Sequence, residues 1–104
     1  MKVYKNAYGW AAESEFDMPG KPNHKIQFLT MKRWNGAIGT TVKVEKIEGK
    51  MRTYQPFSDY NKTLASRAMR ATEKSVAAEH EALVVKHKDE CIKEAVAFYN
   101  AEGN

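Results

Sequence analysis

Alternating apolar and polar positions fill the first half of the chain. A glycine- and proline-free run of helix-forming residues fills most of the second. Between Lys25 and Trp34 the run Ile26-Gln27-Phe28-Leu29-Thr30-Met31 reads as a strand, and Asn35-Gly36 follows it at once. Asn-Gly is the strongest short hairpin signal, because both central positions of a type I′ turn need positive φ. Ala37 to Ile47, rich in Thr, Val and Ile, then returns as the partner strand. Glu48-Gly49 offers a second tight reversal, and Met51 to Phe57 forms the next strand, ended by Pro56. Upstream, Val3 to Phe16 reads as the first strand, with Tyr4, Tyr8 and Trp10 on one face and Gly9 at a bend. Asp17-Met18-Pro19-Gly20-Lys21-Pro22-Asn23 is a loop. Residues 1–57 are therefore expected to form a four-stranded antiparallel meander.

A two-residue Asn-Gly turn carries a register with it. Trp34 then faces Ala37, Lys32 faces Gly39, Thr30 faces Thr41, Phe28 faces Lys43 and Ile26 faces Glu45. The opposite side collects Leu29, Met31, Ile38, Val42 and Val44 and is the better core candidate. The first side mixes Trp34, Phe28 and Ile26 with Lys32 and Lys43. A two-residue Glu48-Gly49 turn adds Arg52 and Tyr54 to it. Aromatic rings interleaved with basic side chains are what a single-strand binder uses, since bases stack on the rings while lysine and arginine neutralise phosphates.

The second half, residues 58–102, holds neither glycine nor proline and is rich in Ala, Glu, Lys, Arg and Met, which reads as helix. Ser58 or Asp59 is the expected N-cap, without a Glu or Gln three residues on to complete a capping box. Leu64, Ala65, Ala68, Met69, Val76 and Leu83 cover one side of the wheel, and Arg67, Arg70 and Lys74 the opposite side. Beyond Ala82-Leu83-Val84-Val85 the apolar residues change phase: Val85, Ile92, Ala95, Val96 and Tyr99 fall where the basic trio lay. One straight helix over the run would be about 65 Å long, against a radius of gyration of about 13 Å for a compact domain of this size. The run is therefore expected either to break near Lys86–Asp89 or to project and bury its second stripe against another copy. A homodimer through the C-terminal segment is the expectation.

Composition narrows the function classes. At 104 residues, 42% apolar and 29% charged, the chain suits one soluble domain. A net charge of +4 is compatible with nucleic acid or an acidic protein surface. The single cysteine, Cys91, excludes an internal disulfide and fits a reducing, cytoplasmic setting. No apolar run approaches the ~18 residues of a membrane span. His80, His87 and Cys91 share a helical side, but no second ligand pair completes a zinc site. No nucleophile elbow or glycine-rich phosphate cradle is present, so neither an enzyme nor a cofactor is expected.

The fold class is α+β, a meander followed by a long C-terminal helix or two helical segments. Strands followed by a helix resemble, in arrangement and not in motif, the Whirly-type and coactivator-type single-stranded-DNA-binding proteins, which dimerise through helices. The expected function is non-enzymatic binding of nucleic acid, single strands preferred. The surface would be Phe28, Lys32, Trp34, Lys43, Arg52 and Tyr54, assisted by Arg67, Arg70 and Lys74. The alternative is a compact protein-binding inhibitor or adaptor, of the kind encoded by mobile genetic elements such as phages.

Overall fold

The computed structural model describes residues 1–33, 35–54 and 60–102, with side chains to residue 100. Its architecture is the expected α+β one, an antiparallel sheet covered on one face by one long C-terminal helix. The strands are β1 (Lys2–Asn6), β2 (Gly9–Asp17), β3 (His24–Lys32), β4 (Ile38–Glu48), β5 (Met51–Thr53) and β6 (Asn61–Arg67), and the helix is α1 (Glu73–Glu102). β1 to β5 are neighbours in chain order, while β6 returns to pair with the first half of β4.

The N-terminal segment is a hairpin and not one strand. Asn6 pairs with Gly9, and Gly9 takes φ of 122°, a conformation open to glycine. The turn reverses the chain, so Tyr4 and Trp10 end on opposite faces. The loop before β3 forms where expected, with Gly20 and Asn23 both at positive φ.

The β3–β4 turn corrects the register by one residue. The Arg33 N–H donates to Ala37 O at 2.8 Å and the Gly36 N–H donates to Arg33 O at 2.9 Å, with Gly36 at φ 85°. This is a three-residue connection with a left-handed glycine rather than a type I′ turn. Ile26 consequently faces Val44, Phe28 faces Val42, Thr30 faces Thr40 and Lys32 faces Ile38. The hydrophobic pattern selects this pairing, because it puts β-face apolar residues opposite one another, whereas the two-residue turn would set Phe28 against Lys43. Ile38, Val42 and Val44 are core as expected, but they share their face with Ile26 and Phe28, while Leu29 and Met31 point the other way.

The second correction is at the start of the helical run. Residues 61–67 form β6, although Lys, Leu, Ala and Arg favour helix. The first half of β4 would otherwise leave its outer N–H and C=O groups unpaired, and that demand outweighs a propensity of a few tenths of a kcal/mol per residue. A bulge near Thr40/Thr41 lets the strand follow the sheet. Ser58 and Asp59, the expected caps, lie outside the described residues. The helix is capped by Thr72: its Oγ1 accepts from the Ser75 N–H at 3.0 Å, and Ser75 Oγ accepts from the Thr72 N–H at 2.9 Å. This is a reciprocal capping box with serine in the third position.

From there α1 runs unbroken for 30 residues, about 45 Å, which matches the 44 Å long dimension of the molecule. It neither breaks near Lys86–Asp89 nor changes phase. Val76, His80, Cys91, Ala95 and Tyr99 are all buried, with Val84 packed at the core edge, so one stripe faces the sheet throughout. Val85 stands off it, 79% exposed. Residues 64–71 lie outside the helix, so the change of phase expected from including them does not arise. No helix among the described residues is long and apolar enough to cross a membrane.

The core has two parts. The larger holds Met18, Ile26, Phe28, Val42, Val44, Tyr60, Cys91, Ala95 and Tyr99. The smaller, under the first turns of α1, holds Ala12, Ile38 and Val76, with Val3, Trp10, Met69 and Ala71 around them. Between the two lies a polar belt. His80, with no exposed surface, has Nε2 2.7 Å from Ser14 Oγ and Nδ1 2.9 Å from Thr30 Oγ1, and Thr30 Oγ1 lies 2.8 Å from Thr40 Oγ1.

Candidate functional site

The register separates the residues expected to act together. Phe28 is wholly buried, edge-on to Phe16 at 5.8 Å between ring centroids, and has no surface to offer. Trp34 lies outside the described residues. Lys43, Arg52 and Tyr54 gather on the sheet face away from the helix, toward the β4–β5 turn, where charges are neutralised. Arg52 forks onto the two oxygens of Glu15 and lies 3.4 Å from Glu45, and Lys43 is 3.1 Å from Glu45 and sits over the Tyr54 ring. The hydrogen bond from Arg52 holds the Glu15 carboxyl below its usual range. This cluster is a latch across the sheet and has little charge to spare.

Lys32, Arg67, Arg70 and Lys74, by contrast, are brought together. Lys32, Ile38 and Arg67 occupy one row of β3, β4 and β6 on the helix-bearing face. In β1 and β2, Lys5 is paired with Trp10, one row beyond the Ala11–Met31 pair, and its Nζ lies 5.8 Å from the indole centre. Met69 and Ala71 pack on the same small cluster as Trp10, which pins the segment carrying Arg70 and the first helical turn carrying Lys74 to this end. Arg33, one residue beyond Lys32, stands at the same strand end with its side chain over Gly39 on the opposite face.

The outcome is a basic rim around the smaller core cluster. Arg67 is bound to Glu79 at 3.1 Å. Lys32, Arg33, Arg70 and Lys74 have no ion partner among the described residues, and all but Arg33 are exposed. Charges of one sign, held at one end of the molecule by adjacent strands and a capped helix, set up a field that acidic polymers feel before contact. Sequence reasoning missed Lys5, Trp10 and Arg33. The signal for them was the register itself, which places the ends of β1, β2 and β3 side by side.

A second groove lies on the sheet face opposite the helix. It is a cavity of about 340 Å³ lined by Tyr8, Leu29, Met31, Lys32, Arg33, Gly39 and Thr41. Tyr8, in the β1–β2 turn, is 74% exposed.

The remaining titratable clusters are structural in geometry. Ser14 and His80 have the separation of a nucleophile and its base, but Thr30 and not a carboxylate holds the second ring nitrogen. Cys91 is buried beneath Tyr60, and burial raises its thiol pKa. Lys62 binds Glu94 at 2.8 Å and Tyr60 donates to the same carboxylate at 3.2 Å, which holds Glu94 below its usual range. His80 and Cys91 thus serve the core, and among the described residues no three His, Cys, Asp or Glu side chains gather as metal ligands. No family model matches the chain, and no curated protein or solved structure matches it either.

Proposed function

We propose that this protein is a small, non-enzymatic binding protein of the cytoplasm that holds nucleic acid, single strands in preference, on its basic rim. The observation that supports this reading is the contrast in pairing. Lys43 and Arg52 on the outer face are matched to carboxylates, leaving Lys50 alone in the β4–β5 turn, while Lys32, Arg33, Arg70 and Lys74 gather at the other end without ion partners among the described residues. The site therefore moves from the sheet face to the end of the sheet. Trp10, half-buried against the small core cluster that the rim surrounds, supplies an intrinsic probe.

The test is binding of a labelled single-stranded oligonucleotide at low salt, followed by anisotropy and by Trp fluorescence. Wild-type protein is expected to bind. The variant with Arg70→Glu and Lys74→Glu is expected to lose affinity by more than tenfold, while Lys50→Glu with Lys86→Glu, away from the rim, is not. Absence of binding by the wild type at low salt defeats the proposal. The protein-inhibitor alternative then gains if a stoichiometric acidic protein partner is retained after nuclease treatment and lost in the rim variant.

Self-association belongs to the same reading in a reduced form. Ala95 and Tyr99 are consumed by the core, which leaves a flank of α1 with Ala78, Ala82 and Val85 exposed and Ile92 and Val96 partly so. We place the homodimer contact there. Solution mass is the check, and Val85→Glu is expected to shift it to the monomer.

A further inference from the structure

The groove on the outer face has a chemistry of its own. Its floor is Leu29 and Met31, neighbours on one face of β3, and Thr41 of β4 forms the far side. Tyr8 overhangs from the β1–β2 turn with most of its ring in solvent. Arg33 closes the end nearest the rim. Its side chain lies flat on the backbone of Gly39: a Cβ at that position would overlap Arg33 Cδ and come within 2.8 Å of Nη1. Glycine is present here to admit the guanidinium, since its own φ is not in the left-handed region.

Arg33 is also the half-buried arginine without an anion. Arg52 has Glu15 and Glu45, and Arg67 has Glu79, but no carboxylate among the described residues reaches Arg33. A guanidinium laid beside an apolar floor and an open phenol ring fits a ligand that is flat, partly apolar and attached to negative charge. Lys32 also lines the cavity, so the groove lies at the strand end that carries the rim.

We propose that this groove takes one unstacked base of a single-stranded nucleic acid, with the ring of Tyr8 against the base and Arg33 on the adjoining phosphate. The proposal rests on the rim for the rest of the strand. It also supplies what the rim lacks, because phosphate contacts alone do not distinguish a single strand from a duplex. A base inside a duplex is stacked and cannot enter.

Two measurements separate this proposal from the rim. In the first, a mononucleotide is titrated into the protein and the Leu29 and Met31 methyl signals are followed by NMR. Shifts in those methyls are expected, in wild type and equally in the Arg70→Glu, Lys74→Glu variant. No shift at millimolar nucleotide overturns the proposal, as does an equal response to inorganic phosphate or to an N-acetylated aromatic amino acid. In the second, affinities for a single strand and for a duplex of equal length are compared. Tyr8→Ala is expected to weaken single-strand binding about tenfold and leave duplex binding unchanged. Gly39→Ala, whose Cβ would displace the Arg33 side chain from Cγ outward, is expected to act in the same direction with an unchanged methyl spectrum for the core. An unchanged single-strand to duplex ratio in both variants overturns the proposal even where the rim still binds.

Discussion

Lowering the pH from 7.5 to 5 is expected to remove about 2 kcal/mol of folding stability through His80 alone. The ring has no exposed surface, and both nitrogens are held by hydroxyls of Ser14 and Thr30. Each hydroxyl is able to donate to a bare nitrogen or accept from an N–H, so the neutral ring is fully satisfied. A charged ring would find no carboxylate in the belt, and the amino terminus of Met1 on the same side repels it. Burial, with that repulsion, lowers the pKa from 6.5 to about 4. Between those two values the unfolded chain carries a proton that the folded chain does not, so stability is complete above pH 6.5 and falls as pH drops toward 4. Each pH unit in the window is about 1.4 kcal/mol, which gives about 2 kcal/mol by pH 5 and about 3 kcal/mol by pH 4.

The assay is urea unfolding followed by far-UV circular dichroism at pH 7.5, 6.5, 5.5 and 5.0 with ionic strength held constant. The midpoint is expected to fall while the slope on urea stays fixed. His80→Gln, which keeps hydrogen-bonding atoms and cannot titrate here, is expected to be less stable at pH 7.5 and nearly flat across the window. Stopping at pH 5 matters. The carboxylates with lowered pKa, among them Glu15 and Glu94, give up their stabilisation only below the ordinary carboxylate range. A midpoint that does not move between pH 7.5 and 5.0, or one that moves equally in His80→Gln, refutes the reasoning.

Three further outcomes follow from the same geometry. Arg52→Ala leaves Glu45, nearly buried, without that cation and unpins β5 from Glu15; because Arg52 is 43% exposed, the expected loss is about 1–2 kcal/mol, measured by thermal unfolding. Thr72→Ala removes the cap of α1 and is expected to cost about 1 kcal/mol, with Thr72→Ser close to wild type. If Lys32, Arg33, Arg70 and Lys74 each neutralise one phosphate, the logarithm of single-strand affinity falls with a slope of about −3 against the logarithm of salt. That is about 50-fold between 50 and 200 mM. A slope near zero removes the rim from the account.

Much of the fold was legible in local pattern. Strand segments around Ile26–Met31 and Thr40–Ile47 alternate, the Pro-Gly loop punctuates, and a long stretch without glycine or proline follows. What was not legible depended on partners distant in sequence. Residues 61–67 are better helix formers than strand formers, and only the open side of β4 makes them a strand. Once they are removed from the helix, the stripe from Val76 to Tyr99 needs no change of phase. The reciprocal pair Thr72–Ser75 marks the true start, but with serine in place of Glu or Gln it does not match the usual box.

The candidate site turned on one residue of register. Asn35-Gly36 announced a hairpin correctly, and the loop length then decided every face beyond it. Because side chains alternate with a period of two, the three-residue loop parts Phe28 from Lys43 and sends each to the opposite side of the sheet. It also leaves Leu29 and Met31, strong candidates for core by composition, as the floor of an open groove. The two turns differ by the backbone of Arg33 and Ala37, whose hydrogen bond closes the longer loop. The same bond fixes the point from which the Arg33 side chain sets out across Gly39. The turn that hid the core is therefore the element that carries the arginine into the groove, and a variant that forces a two-residue turn there is expected to lose the fold and the groove together.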